Sequence, residues 1–147
     1  MRRARLLPSV LVAAALAGGP GSSVSAAADF RMIVNPQVKG SQIPRAVLKS
    51  IFLKQALKWG DGRPVAPVDQ SVQSPVRRLF TTDVLGQGIV EVQVYWQRKI
   101  GAGLVPPPVK TSDEDIVAFV ASTPGAIGYV SAGAPLPDSV REVSVVD

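Results

Sequence analysis

The chain predicts an α/β sandwich with one mixed, mostly parallel sheet and flanking helices. Three observations carry that reading. Short, apolar, β-branched runs such as Phe30 to Val34 and Ala126 to Val130 alternate with longer segments of helical spacing. Each helical segment has one apolar stripe, as a helix packed on a sheet requires. Turn signals containing proline and glycine separate the segments, and there is no internal repeat.

The first element is a leader. Arg2, Arg3 and Arg5 form a basic region, Leu6 to Ala17 is an apolar run interrupted by Pro8, and small residues follow, with cleavage expected after Ala26 or Ala28. The apolar run is too short to cross a bilayer. Residues 1–28 are therefore expected to be a signal peptide. Residues 29–147 are expected to be one domain, periplasmic or secreted, with enough chain for a real core.

Phe30 to Val34 reads as the first strand, ended by the Asn35-Pro36 turn. Ser41 is the expected cap of a helix with Pro44 in its first turn. Ile43, Val47, Leu48, Ile51 and Phe52 make its apolar face, with Arg45 and Lys49 opposite. Trp59 reads either as a stacking platform for a ligand or as a plug sealing the helix end against the sheet; the plug is favoured. Arg63 to Val68 is a short or edge strand, because Pro64 and Pro67 each delete a ladder N–H. Asp69 to Gln73 is a polar loop leading to Ser74-Pro75, a cap residue followed by proline at the first helical position. Val76, Leu79, Phe80 and Val84 are expected to line the buried face of that helix, stopped by Gly86. Arg77 and Arg78 lie in its first turn, where they either meet an anion at the positive helix end or form a solvated face.

Ile89 to Trp96 alternates strictly and is rich in β-branched residues, which argues for a strand. Gly101 to Pro108 is a loop, and Val109-Lys110 a short strand. Ser112 caps a helix whose first turn carries Asp113, Glu114 and Asp115. Three adjacent acids on a helix point in different directions, so helix-start chemistry explains them better than a metal site does. Ile116, Phe119, Val120 and Thr123 form its stripe. Ala126 to Val130 is a buried strand with close backbone approach at Gly128, and Val140 to Val146 is the last strand.

Composition removes several function classes. The 147 residues include no cysteine and no histidine, which excludes disulfides, a Cys/His metal site and catalysis by a Cys or His nucleophile or base. The formal charge is +5, but Arg2, Arg3 and Arg5 supply three of the 16 basic residues. The remaining excess is small and no basic stripe carries interleaved aromatics, so a nucleic-acid partner is not expected. No cofactor is implied, and an enzyme is not expected.

The ordered set Ile51-Phe52-Leu53, Lys58-Trp59-Gly60-Asp61-Gly62, Ser74…Arg77…Phe80 and Thr123-Pro124-Gly125-Ala126-Ile127-Gly128-Tyr129-Val130 resembles the periplasmic phosphate-binding proteins of ABC importers. The likeness runs from about Ile33 to Val130 and covers one lobe. It implies a single three-layer lobe of the type II periplasmic-binding-protein fold. It also implies a helix at Ile89 to Trp96, leading into a Tyr-Trp pair matched by Tyr95-Trp96. Where the family stops its helix with glycine after the Phe-Leu pair, this chain has Lys54, so that helix is expected to run on through Gln55-Ala56-Leu57.

The family's oxyanion ligands, carried over without gaps from Trp59 to Phe80, fall on Gln70 for an arginine and Val72 for an aspartate. The Ser-Gly-Thr step falls on Ser74, Pro75 and Val76, of which Ser74 alone is kept. The candidate ligand set is therefore Ser74, Arg77 and Gln70. The resemblance implies phosphate or another oxyanion as ligand, bound weakly or with altered specificity, and ABC transporter membrane subunits as partners. The alternative is an envelope interaction module that kept the lobe, lost ligand binding and works through another protein.

Overall fold

The computed structural model describes residues 29–147; the expected leader lies outside the described residues. The elements are β1 (Phe30–Val34), β2 (Gln42–Pro44), α1 (Arg45–Phe52), β3 (Ala66–Pro67), β4 (Asp69–Gln70), α2 (Pro75–Phe80), α3 (Ile89–Gly101), β5 (Val109–Lys110), α4 (Asp113–Ser122), β6 (Ala126–Ser131) and β7 (Arg141–Val146). A π-helical turn over Thr81–Leu85 extends α2 up to Gly86, which adopts the left-handed conformation.

The sheet has the order β2-β7-β1-β6-β3, and β4 and β5 form a separate parallel pair. β1 is antiparallel to both β6 and β7, while β2 is parallel to β7 and β3 to β6. All strands of the main sheet but β1 therefore run the same way, and because β1 lies among them the sheet is mixed, with two parallel and two antiparallel pairings. The proline-containing β3 sits at one edge, where missing N–H groups are tolerated.

Strand alternation sorts the core into two layers. Met32 and Val34 of β1 and Ile127 and Tyr129 of β6 pack with α1, α2 and α3 on one face. Ile33, Ala126 and Val130 pack with Ile116 and Val120 of α4 on the other. Gly128 lets α4 come close: a Cβ there would stand 2.7 Å from Val68 Cγ1 and 2.9 Å from Ile116 Cγ2. The first layer is aromatic, with Phe80 stacked on Tyr129 at 4.0 Å between ring centroids and Phe52 edge-on to Phe80 at 4.6 Å.

Several local expectations are corrected. Ser41 does not cap α1. Gln42–Pro44 is held extended by parallel pairing with Ser144 to Val146, and the helix begins only after Pro44. α1 also stops at Phe52 rather than running on. Lys54 takes a left-handed conformation at φ 58°, and the amides of Lys54 and Gln55 close on the carbonyls of Ile51 and Ser50. That is a Schellman ending built without glycine, and the Tyr95 hydroxyl donates to the Leu53 carbonyl at 2.7 Å beside it. By contrast, Ile89–Gly101 is the helix that the family likeness implies, against its own alternation: Val92 and Trp96, four apart, are buried, while Val90 and Val94 are exposed. Val47 and Leu79 are surface residues at 41% and 40% exposure. The buried phase of the second helix is Val76, Arg77, Phe80, Thr81 and Val84, so Arg77 occupies the inward position expected for Leu79. Trp59 is partly buried against the aromatic layer and donates its indole N–H to Gly125 O at 3.0 Å, which is the plug role.

Candidate functional site

The start of α2 carries a buried polar cluster. β4 sets Asp69 and Gln70 side by side, α2 turns Arg77 inward, and β6 brings Tyr129 up beneath them. Arg77 Nη1 lies 2.7 Å from Asp69 Oδ2 and donates to Gln70 O at 2.8 Å, while Arg77 Nε donates to Thr81 Oγ1 at 3.1 Å. The Tyr129 hydroxyl donates to Asp69 Oδ1, and the Gln70 amide points at the same oxygen from 2.9 Å. Buried charges survive only when paired and hydrogen-bonded, and here each oxygen of the carboxylate is matched.

Burial pushes the Asp69 carboxyl above its ordinary range, opposed by the Arg77 charge and by the hydrogen bonds from Tyr129 and Gln70. The Tyr129 phenol is pushed up as well, first by burial and then by the negative charge of Asp69. At its buried centre Asp69 and Arg77 form a balanced pair, one acid against one base.

The three candidate residues come together here. Ser74 Oγ donates to Gln70 Oε1 at 2.8 Å, and Gln70 Nε2 donates to Tyr129 O at 2.9 Å and Asp113 Oδ1 at 3.1 Å. Ser74 therefore stands at the cap position without a side-chain bond to a helix amide. Gln70 is 2% exposed, with both ends of its amide engaged. Arg78 is on the surface, so of the two adjacent arginines Arg77 alone belongs to the cluster. Pro75 supplies no N–H, and Val72 is 40% exposed nearby.

Sequence reasoning missed Asp69, Tyr129 and Asp113 as members. By sequence Asp69 reads as part of a polar loop and Tyr129 as part of a strand, with nothing local to join them. One signal was present: Arg77 and Thr81 fall on the helical phase of Phe80 and Val84, which points polar side chains at the core and calls for a buried partner. Asp113 Oδ1 also accepts the Ser131 amide at 3.1 Å, so the first of the three adjacent acids ties α4 to β6.

A family model described as a PBP superfamily domain matches residues 14–145. Among solved structures, one from Clostridium perfringens, described as a phosphate ABC transporter substrate-binding protein with bound phosphate, is similar with a TM-score of 0.63 and 20% identity, covering 80% of this chain and 44% of that one. An ABC-type phosphate transport receptor from Vibrio cholerae is similar with a TM-score of 0.63 and 18% identity, covering 81% of this chain and 47% of its own. PstS from Borrelia burgdorferi follows with a TM-score of 0.56 and 16% identity, covering 80% and 47%. This chain thus spans less than half the length of these structures and shares the fold of one lobe. No curated protein matches the sequence.

Proposed function

This chain belongs to the PBP superfamily, and we propose that it is an exported, substrate-binding-like protein whose oxyanion binding is weak or altered. Phosphate or a related oxyanion is the proposed ligand, Ser74, Arg77 and Gln70 the proposed contacts, and ABC transporter membrane subunits the proposed partners. Residues 1–28 are its proposed signal peptide. No catalytic role is proposed.

One observation supports weakness in particular. The Arg77 charge is balanced by Asp69 at 2.7 Å within a buried cluster, so an arriving anion meets a neutral pair rather than a free cation. The polar groups of Ser74 and Gln70 already bond each other, and binding must break that bond. An affinity of about 1 mM, roughly −4 kcal/mol, is the expected scale. Calorimetry with phosphate on the protein and on Asp69→Asn tests this. The variant, which leaves Arg77 unbalanced, should bind at least tenfold more tightly, and Arg77→Ala should abolish the heat. Micromolar binding by the unaltered protein would overturn the reading. The neutral pair equally supports an interaction module that retained the lobe; absence of phosphate heat from both proteins would favour it.

A further inference from the structure

A cavity of about 380 Å³ opens between α3, the loop after it and the β4–β5 pair. That volume is within the range of small-molecule sites, about 300–1,000 Å³. Val92, Trp96, Ile100 and Val109 give it apolar walls, and Asp69 and Arg77 contribute from its deep side. Ile100 and Val109 are more than half exposed and form the rim, whereas Val92 and Trp96 are buried. The recess joins apolar walls to a hydrogen-bonded ion pair at its deep side, which suits an occupant with two chemical ends.

The hydrogen bonds fix what the polar end must be. Asp69 Oδ2 is taken by Arg77, and Oδ1 by Tyr129 and the Gln70 amide. On Arg77, Nε and Nη1 are engaged, while Nη2 has no hydrogen-bond partner among the described residues. Arg77 therefore keeps an open donor at the deep end. The ion pair is already balanced, so an anion gains little from Arg77 here, whereas a neutral acceptor brings no further charge into an apolar recess. From this juxtaposition we infer that the cavity binds a small uncharged molecule with an apolar body, packed on Trp96, and a carbonyl-type acceptor meeting Arg77. The inference goes beyond the oxyanion reading: it shares Arg77 with it but takes a neutral head and an apolar wall.

Two probes of nearly one shape separate the alternatives: phenylacetamide, with a neutral acceptor, and phenylacetate, its anionic counterpart. Each is titrated into the purified protein beside inorganic phosphate, with amide and indole NMR shifts as readout. Phenylacetamide should move the Trp96 indole and Val109 signals, and should half-saturate at a concentration at least tenfold below that for phenylacetate. Val109→Trp, which fills the rim from an exposed position, should weaken phenylacetamide at least tenfold while the thermal melt is unchanged. Ile100→Trp serves the same purpose if the first variant does not fold. Equal or tighter binding of phenylacetate would overturn the inference. So would phenylacetamide binding that survives both filled variants, or no phenylacetamide shifts at these residues. Phosphate shifts at Ser74 without shifts at Trp96 would bear on the oxyanion reading alone.

Discussion

Two helices of this protein begin with serine, and the two serines do different things. At α4, Ser112 Oγ accepts the Asp115 amide at 3.1 Å, and the acids of the first turn meet the positive end of the helix. At α2, Ser74 holds the cap position and an extended backbone, yet its hydroxyl turns away from the helix and donates to Gln70 Oε1. Locally the two sequences carry much the same start signal. The difference arises because Gln70 is fixed within reach of Ser74 by Tyr129 and Asp113, whereas Ser112 has no competing partner of that kind. A capping residue serves its helix only when the fold offers its side chain nothing better. The Ser112 cap is thus a local bond within its own helix, whereas the Ser74 hydroxyl serves a tertiary, part-buried bond.

The largest effects should come from what anchors α2. Phe80→Ala removes a fully buried ring stacked on Tyr129 and should cost about 3–5 kcal/mol. Arg77→Ala strands Asp69 without its counter-ion and should cost about the same. The neighbouring Arg78→Ala should stay within about 0.5 kcal/mol. Urea midpoints with unchanged slopes decide this; equal costs for Arg77 and Arg78 would mean that the α2 start is as solvent-facing as that of α4.

The next effect is on pH dependence. Because the Tyr129 phenol is raised in the folded state, the unfolded chain loses that proton first, at about pH 10. Its contribution is present in full below that pH and is lost as pH rises further, by up to about 1.4 kcal/mol per pH unit. Stability measured from pH 9 to 11 should therefore fall more steeply in the unaltered protein than in Tyr129→Phe. Parallel curves would show that the phenol is not sealed in the cluster.

Ser112→Ala should cost about 1 kcal/mol, the ordinary value of a lost cap. The smallest and sharpest comparison exchanges each serine for aspartate, a good cap that cannot donate. Ser112→Asp should lie within about 0.5 kcal/mol of the unaltered protein. Ser74→Asp should be worse by about 1 kcal/mol, because Gln70 Oε1 loses its donor. Equal responses in thermal melts would erase the distinction between the two helix starts.

Much of the architecture was legible without coordinates, wherever a segment's own pattern matched its surroundings. β1, β6 and β7 announce themselves as apolar runs bounded by turns, and α4 by its cap, acids and stripe. Gly128 reads as a close approach because no larger residue suits a strand lying under a helix. Those features depend on neighbours in the chain, so sequence by itself determined them. The helix at Ile89–Gly101 came from family likeness against its own alternation, since strand and helix phases differ there only in which valines meet the core.

Only the tertiary structure decided the rest. Parallel pairing with β7 removed the cap at Ser41, and the close of α1 put Lys54 into a left-handed turn usually left to glycine. Arg77 took an inward position while Leu79 went outward, because Asp69, Gln70 and Thr81 converge to satisfy the guanidinium, with Tyr129 holding Asp69. Tyr129 holds Asp69 from 60 residues along the chain, and such a partner cannot be read from the pattern of a six-residue helix. Side-chain phase is periodic and local, but the identity of a buried polar partner is set by which strands and helices the fold brings together.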